Sequence, residues 1–467
     1  MTITKEFDFL CIGSGPAGQR AAVQAAKLGL QVGVIEKHHI VGGTCVDSGT
    51  IPSKTFREAV LALKASHRNT IGPGLQSVSP PTMGELLDKV SHLVGLESQI
   101  VESQLGRNNI TLIRGEAFFK DPHTLAVRSD SDTIFLRADH ILIAVGTIPS
   151  PPPGVCTDGQ TIIDSDDILR LCRIPRNMVV VGAGVIGIEY ASMFAALGTE
   201  VTVIDQRERP LEFLDHEIVD ELIHQMRNHN VLFRLSETVE RLDLSTDSPK
   251  RVIIKLESGK RHVSELAFFS VGRLGATATL GLEAAGLEVD GRGRLKVDAQ
   301  FRTSVPHIFA AGDVIGYPSL AATSSEQGRL AACFAFGVSV EPAPAHFPIG
   351  IYAIPEISMV GKTEETLTKD RVPYEVGMAR YREIARGIIL GDDSGLLKML
   401  FHRDSHQLLG VHAIGTGATE LIHIGQAVLG MGGGLSYFLT TVFNYPTLAE
   451  CYKVAALDAY NKLRQSI

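Results

Sequence analysis

The chain has 467 residues, of which 44% are hydrophobic and 21% are charged, and its formal net charge at pH 7 is −8. This balance predicts a packed globular protein of roughly three domains, and the negative charge argues against a nucleic-acid or anionic-membrane surface. No apolar run approaches the ~18 residues of a membrane-spanning helix, and the N-terminal residues show no basic, apolar signal segment, so we expect a cytoplasmic protein.

The first predicted strand leads directly into a glycine-rich turn. Phe9–Ile12 is followed by the motif Gly13-x-Gly15-x-x-Gly18, a helical stretch and a second strand that ends at Glu36. This order is typical of a dinucleotide-binding unit. The glycines allow the backbone to approach a pyrophosphate at the helix N-terminus, and the acid accepts hydrogen bonds from a ribose.

The same unit recurs 169 positions later, with Gly182, Gly184, Gly187 and a strand that ends at Asp205. In both copies the acid lies 23 residues after the first glycine. Two such sites predict two dinucleotides bound to one chain, and the chemistry that suits two dinucleotides is hydride transfer.

Two arginines follow the second acid and bear on coenzyme choice. Asp205 suits the ribose hydroxyls of NAD, whereas Arg207 and Arg209 could meet the 2′-phosphate of NADP. An acid and arginines together predict tolerance of both coenzymes; the alternative is that the arginines are simply solvated.

The chain between and beyond the motifs predicts a split first domain. Residues 1–150 carry the first motif and residues 151–275 the second, while residues 276–345 return to the first domain and place Asp313 at a strand end near the first nucleotide. Residues 346–467 mix strands and helices without a third motif. The six cysteines form no C-x-x-C pair, so we expect reduced thiols, no metal site and no structural disulfides.

Further motifs resemble those of the two-dinucleotide flavoprotein disulfide-reductase family, which includes glutathione reductase and dihydrolipoamide dehydrogenase, over essentially the whole chain. They are Gly42–Cys45, Ile51–Lys54, Gly312-Asp313 and Pro446–Glu450. The resemblance implies an α/β fold with two Rossmann-like domains, the first for FAD and the second for NAD(P), and a C-terminal α+β dimerisation domain. It also implies one tightly bound FAD per chain, NAD and NADP as substrates, and a homodimer or a higher homo-oligomer.

The resemblance assigns site residues by position. Those expected to bind FAD are Gly13, Gly15, Gly18, Glu36, Gly43, Thr44, Lys54, Ala117, Gly146 and Asp313. Those expected to bind NAD(P) are Gly182, Gly184, Ile186, Gly187, Glu189, Asp205, Arg207 and Gly272. Lys54 and Glu189 are expected to pair and to be catalytic, with Lys54 stabilising negative charge on the reduced flavin. The alternatives are a solvated lysine and a first-turn acid favoured by the helix dipole.

The sequence departs from the family at the positions that handle thiols. Cys45 is present, but Thr50 occupies the position of the second redox cysteine, and threonine cannot form a disulfide. Tyr445 replaces the acid–base histidine, although its partner Glu450 remains. A tyrosine hydroxyl is a poor proton shuttle near neutral pH.

A flavoprotein that keeps both dinucleotide sites and lacks the dithiol is expected to exchange hydride only with nicotinamides. Gly49–Lys54, Val314–Leu320 and Phe443–Thr447 resemble the soluble pyridine nucleotide transhydrogenases within this family. The expected reaction is ping-pong hydride transfer from NADPH to NAD+ through flavin N5. Three alternatives remain open. The first is an NAD(P)H:quinone or dye reductase, or a degenerate dihydrolipoamide dehydrogenase-like flavoprotein. The second is a disulfide reductase that uses Cys45 with a distant thiol, and the third is an FAD-binding interaction subunit without turnover.

Overall fold

The computed structural model describes residues 3, 5–69, 82–129, 132–152, 154, 157–245, 249–341 and 346–465. The chain divides into two compact units. The first comprises Met1–Pro153, Asp164–Arg173 and Val271–Ala343. The second comprises Gly154–Ile163, Ile174–Ser270 and Pro344–Ile467. Within the described ranges, no helix has the length and apolar character that crossing a membrane requires.

Strands and helices alternate through both nucleotide-motif regions. The strands are β1 (Lys5–Ile12), β2 (Val32–Glu36), β3 (Thr111–Arg114), β4 (Glu116–Asp121), β5 (Thr124–Arg128), β6 (Thr133–Ile143), β7 (Thr147–Pro149), β8 (Ile162–Ile163), β9 (Asn177–Val181), β10 (Glu200–Asp205), β11 (Val231–Leu235), β12 (Val239–Leu244), β13 (Val252–Leu256), β14 (Arg261–Ser264), β15 (Leu266–Phe269), β16 (Arg273–Gly275), β17 (Ile308–Ala310), β18 (Ile349–Ile351), β19 (Ile357–Gly361), β20 (Tyr374–Arg380), β21 (Leu396–His402) and β22 (Leu408–Ile414). The α-helices are α1 (Pro16–Lys27), α2 (Thr44–Asp47), α3 (Thr50–Asn69), α4 (Met83–Arg107), α5 (Val185–Ala196), α6 (His216–Asn228), α7 (Ala321–Ala335), α8 (Glu364–Lys369), α9 (Ala385–Leu390), α10 (Ala418–Gly430), α11 (Leu435–Thr440) and α12 (Glu450–Gln465).

The first unit is built on a sheet in which β3, β2, β1 and β6 are neighbours in that order and run parallel. Strand β6 pairs with the antiparallel hairpin of β4 and β5 along one half and with β17 along the other. The apolar run Phe9–Ile12 of β1 is buried, as expected of a parallel strand covered on both faces. Strand β17 pairs in parallel with β6, and Asp313 follows the end of β17 by three residues. The predicted domain bounds 276–345 stay a prediction.

The second unit repeats this arrangement. Its parallel sheet has the order β11, β10, β9, β15 and β8, so β9, β10, β11 and β15 take the places that β1, β2, β3 and β6 hold in the first sheet. The antiparallel strands β12, β13 and β14 precede β15, as the hairpin of β4 and β5 precedes β6. The two copies therefore share a strand order as well as a motif.

The rest of the second unit contains an antiparallel sheet with helices packed against it. The strand order is β18, β19, β22, β21 and β20. Its core includes the buried rings of Phe438 and Tyr452, which stack with centroids 5.3 Å apart. The Tyr452 hydroxyl donates to the Leu421 carbonyl and accepts from the Gly425 amide, so the ring joins α10 to α12.

A buried lysine links this sheet to the nucleotide-motif part of the second unit. Lys398 of β21 is completely buried, and its ammonium bonds Asp215, Glu217 and Glu364. Those three carboxylates lie within 4.8 Å of one another, which is the spacing of a metal site. Burial alone would lower the pKa of Lys398, but the hydrogen bond that it donates to Glu364 and the negative charge of Asp215 raise the pKa well above its ordinary value. The lysine is therefore held as a cation among the three acids.

Lys398→Ala is expected to destabilise the protein strongly, because it leaves the fully buried Asp215 without its cation. Removing one partner of a buried pair costs ~3–5 kcal/mol. The matched control is Lys362→Ala, whose ion pair with Asp370 is about half exposed and is expected to contribute under about 1 kcal/mol. Chemical denaturation of both variants measures the difference; equal losses would contradict the buried role of Lys398.

Candidate functional site

The turn between β1 and α1 is so tight that Gly13 and Gly18 cannot be replaced without rearrangement. Gly13 has a φ of +104°, which disfavours any residue with a Cβ. A Cβ on Gly13 would overlap the Ala144 carbonyl oxygen, and one on Gly18 would overlap the Gly13 carbonyl oxygen. Pro16 then occupies the first helical position, where its missing N–H costs nothing. The motif thus brings bare backbone to the N-terminus of α1, where a pyrophosphate is stabilised.

Glu36 closes this turn from the end of β2. Its side chain is buried, and Oε2 accepts from the Ser14 amide at 3.0 Å and from the Ser14 hydroxyl at 2.6 Å. Oε1 accepts from the His38 amide at 2.8 Å. A carboxylate has about four acceptor positions, so three donors leave one for a ribose hydroxyl. This arrangement fits the adenylate half of a dinucleotide.

A cavity of about 360 Å³ in the first unit extends from Glu36 to Thr50 and Asp313. Its size is that of a ligand pocket. The predicted FAD residues that line it are Gly13, Gly15, Glu36, Gly43, Thr44, Ala117, Gly146 and Asp313. Gly18 on α1 and Lys54 on α3 are not among the residues that line it. The Lys54 ammonium lies 3.3 Å from the Ser53 hydroxyl. The structure brings most of the predicted set around one cavity, and contact of these residues with FAD stays a prediction.

Asp313 lies on the cavity wall beside a cation. Burial raises the pKa of its carboxyl, against the opposing effects of the Arg273 charge and of hydrogen bonds with Thr147 and Ser324. Arg273 is itself held by the Thr147 hydroxyl at 2.9 Å and the Thr147 carbonyl at 2.8 Å. The carboxyl group therefore sits in a fixed polar network and can bond a ligand hydroxyl.

Cys45 and Thr50, the two positions of the family's redox pair, lie together on the wall of the same cavity. Burial raises the pKa of the Cys45 thiol, while a hydrogen bond with Thr50 and the charge of Lys54 act in the opposite direction. Each of the five cysteines in the described part of the chain is a free thiol. A thiol with a raised pKa is a weak nucleophile at neutral pH.

The second motif has the same geometry as the first. Gly182 has a φ of +109°, and a Cβ there would lie 2.5 Å from the Ser270 carbonyl oxygen. A Cβ on Gly187 would overlap the Gly182 carbonyl oxygen. Asp205, buried at the end of β10, accepts from the Ala183 amide at 2.5 Å through Oδ2. Both predicted turns therefore have the close backbone approach that the glycine pattern indicates.

The two arginines after Asp205 have different partners. Arg207 pairs with Asp205 itself: Nε donates to Oδ1 at 2.9 Å and Nη2 to Oδ2 at 2.6 Å. Burial alone would raise the pKa of Asp205, but the hydrogen bonds from Arg207 and Ala183 lower it. Arg209 instead pairs with Asp220 on α6. Of the two, only Arg207 lies on the acid of the motif.

The remaining predicted NAD(P) residues are dispersed. Gly184 and Ile186 lie where α5 begins, with Ile186 half-buried. Glu189 is buried one turn later, and its Oε1 accepts from the Tyr352 amide at 2.8 Å. Gly272 belongs to the first unit, where its carbonyl accepts from the Ser150 amide. Lys54 lies in the first unit and Glu189 in the second, and their pairing stays a prediction.

Sequence reasoning missed the contribution of the variable positions inside the motifs. Ser14 is completely buried; its hydroxyl donates to Glu36 and accepts from the Gly42 amide at 2.9 Å. Ala183, its counterpart, offers only its amide. The hydroxyl inside the first motif was a usable signal, because a buried serine beside an acid must find a partner.

The C-terminal segment carries the predicted departure. Tyr445 is 68% exposed. Oε2 of Glu450 is buried and has no hydrogen-bond partner among the described residues. No histidine–glutamate acid–base pair is therefore formed at these two positions.

Two family models match the chain. The pyridine nucleotide-disulphide oxidoreductase model matches residues 7–328, and the pyridine nucleotide-disulphide oxidoreductase dimerisation domain matches residues 347–456. These matches confirm the predicted α/β fold class, with two Rossmann-like dinucleotide-binding domains and a C-terminal dimerisation domain.

Proteins named soluble pyridine nucleotide transhydrogenase are similar over nearly the whole chain. That of Mycobacterium tuberculosis is 51% identical, and that of Photobacterium profundum is 44% identical; each match covers 98% of this chain and 98% of the relative. Among solved structures, the HOCl-induced flavoprotein disulfide reductase RclA from Escherichia coli superposes with a TM-score of 0.87 at 26% identity, covering 96% of this chain and 99% of that one.

Gly18→Ala is expected to weaken FAD binding, because the added Cβ would overlap the Gly13 carbonyl oxygen. Overpacking of this kind costs ~1–3 kcal/mol, or roughly five- to a hundredfold in affinity. The flavin content of purified protein measures the loss. The control is Gly95→Ala on α4, which has open space around the added Cβ and is expected to keep full flavin content. Full flavin content in Gly18→Ala as well would contradict the proposed role of this turn in binding FAD.

Proposed function

The chain belongs to the pyridine nucleotide-disulphide oxidoreductase family, and we propose that it is an FAD-dependent transhydrogenase that transfers hydride from NADPH to NAD+ by a ping-pong mechanism. The observation that carries the proposal is the contrast between the nucleotide-binding motifs of the chain and the positions that would handle thiols. Both nucleotide turns are complete, whereas Thr50 and Tyr445 stand where dithiol chemistry needs a cysteine and a histidine. The names of the relatives at 51% and 44% identity support the same activity.

FAD, when bound, supplies an acceptor that takes hydride at N5 from one nicotinamide and returns it to the next. In the proposed assignment, residues 1–150 and 276–345 hold FAD, residues 151–275 hold NAD(P)(H), and residues 346–467 form the interface. The protein's part is to hold both dinucleotides in place, since proximity and orientation dominate such a transfer.

The chain's own residues support this assignment. Glu36 keeps an acceptor position for a ribose hydroxyl, and the Asp313 carboxyl group is fixed on the cavity wall by Thr147 and Ser324. Lys54 supplies positive charge near Cys45 and is proposed to stabilise the reduced flavin. Glu189 is proposed to pair with it.

Cys45 has no redox role in this proposal. Its neighbour Thr50 can accept or donate a hydrogen bond and cannot take up electrons. Burial raises the pKa of the Cys45 thiol, so the thiol stays protonated at neutral pH. Electrons that a reduced nicotinamide donates to the flavin are then transferred to an oxidised nicotinamide.

We also propose one tightly bound FAD per chain, a homodimer or higher homo-oligomer, and a cytoplasmic site of action. The match to a dimerisation domain supports self-association. Large apolar side chains are exposed in this segment, as expected of a surface that a second copy covers. They include Met431, Tyr437, Val442, Tyr445 and Leu457.

Double-mixing stopped flow tests the activity. Anaerobic NADPH is expected to bleach the flavin absorbance of the holoenzyme, and NAD+ added next is expected to restore it, each step at least as fast as steady-state turnover. If NAD+ leaves the flavin reduced while a quinone reoxidises it, the protein is a quinone reductase and the proposed function is wrong.

Tyr445→Phe is expected to leave NADPH-to-NAD+ turnover within a few-fold of wild type, because no proton needs to be transferred there. Loss of a true acid–base group would cost ~100-fold or more. Tyr437→Phe, another partly exposed tyrosine of the same segment, is the control. Lys54→Ala is expected to slow flavin reduction far more than either. If Tyr445→Phe instead loses most of its NADPH-to-NAD+ turnover, the Tyr445 region is catalytic and this prediction is wrong.

A further inference from the structure

The acid of the second motif has no acceptor position left. Oδ1 of Asp205 accepts from the backbone N of Arg207 at 2.8 Å and from its Nε at 2.9 Å. Oδ2 accepts from the Ala183 amide at 2.5 Å and from Nη2 of Arg207 at 2.6 Å. A carboxylate offers about four acceptor positions, so a ribose hydroxyl finds none open.

The first motif of the same chain provides an internal comparison. Glu36 accepts from the amides of Ser14 and His38, as Asp205 accepts from the amides of Ala183 and Arg207. The Ser14 hydroxyl is the third donor to Glu36, so one of its roughly four acceptor positions stays open. In the described part of the chain, no cation pairs with Glu36. The second motif therefore differs by a cation that bonds both oxygens of its acid.

The arginine side chain is the partner that can leave. The two amides belong to the fixed backbone of the turn and of the β10 end, whereas the Arg207 side chain is 35% exposed against 5% for Asp205. Rotation of the guanidinium into solvent would free two acceptor positions on the acid. It would at the same time free a fork of donors that suits a phosphate.

Each coenzyme needs one half of this ion pair and is disfavoured by the other half. The ribose of NAD(H) needs an acceptor, so it competes with the Arg207 guanidinium for Asp205. The 2′-phosphate of NADP(H) needs a cation, so it competes with the Asp205 carboxylate for Arg207, and a bare carboxylate would repel it.

We propose that the Asp205–Arg207 ion pair is a coenzyme-balancing element: it opens for either coenzyme, competes with both, and so holds their affinities close together. This deepens the proposed function, on which it rests, because a one-site ping-pong enzyme needs both coenzymes to enter and leave the same site.

Equilibrium binding to the oxidised holoenzyme tests the proposal without turnover. NAD+ and NADP+ are titrated separately by calorimetry into wild type, Arg207→Ala and Asp205→Asn. Arg207→Ala is expected to bind NAD+ about three- to tenfold more tightly, because a competitor is gone, and NADP+ about tenfold or more weakly. Asp205→Asn is expected to show the opposite pattern.

The decisive outcome is that each variant binds one of the two coenzymes more tightly than wild type does. If each residue merely contacts a coenzyme or merely supports the fold, its substitution weakens binding and tightens nothing, and the proposal is wrong. Arg241→Ala and Asp243→Asn are the matched controls, since Arg241 and Asp243 form an exposed ion pair with the same spacing of two residues. These controls are expected to leave the ratio of the two affinities unchanged within about twofold.

The two hypotheses fail separately. If NAD+ does not reoxidise the reduced flavin but the affinities shift as expected, the transhydrogenase function is wrong and the balancing role of the ion pair stands. If NAD+ reoxidises the flavin but neither variant tightens a coenzyme, only the balancing role is wrong.

Discussion

One interaction, used twice, organises the nucleotide-motif regions: a buried carboxylate at the end of the second strand accepts from the amide next to the first glycine of the turn. Glu36 bonds the Ser14 amide and Asp205 the Ala183 amide. In each copy this hydrogen bond holds the glycine turn against the sheet. The helix that follows, α1 or α5, begins directly after that turn. Burying a charge requires compensating donors, so the turn and the acid stabilise each other. The Cβ that would disrupt each turn is excluded by backbone carbonyl oxygens of the same unit.

Much of this could be read from the sequence because the motif is local. The turn, the helix start and the acid lie within about two dozen residues, and their spacing reflects backbone geometry rather than distant packing. The return of β17 to the first sheet was also predictable, from an apolar strand that ends in Gly312-Asp313. The Asp205–Arg207 ion pair could not be predicted in this way. The sequence indicates an acid followed by two arginines, and only the side-chain geometry shows that Arg207 bonds Asp205 whereas Arg209 bonds Asp220. The acids around Lys398 come from distant segments, and no local pattern identifies them.

The departures from the family are consistent with one another. Thr50 bonds Cys45 at the position where a second cysteine would form a disulfide, and Tyr445 is an exposed side chain where a histidine would be oriented by Glu450. A dithiol enzyme needs both features, whereas a hydride carrier needs neither. The glycines and the acid of both dinucleotide motifs are present in the same chain. The departures therefore lie at the positions that would handle thiols, and the two nucleotide motifs are unchanged.

The most direct test of this account is the electron capacity of the holoenzyme. Anaerobic titration with NADPH, followed by optical absorbance and by thiol counting in denaturant, is expected to show uptake of about two electrons per bound flavin, because the proposed mechanism stores electrons on the flavin alone. No new pair of titratable thiols is expected. Uptake of about four electrons with two new thiols would reveal a redox disulfide and would contradict the central claim that this chain carries electrons only between nicotinamides.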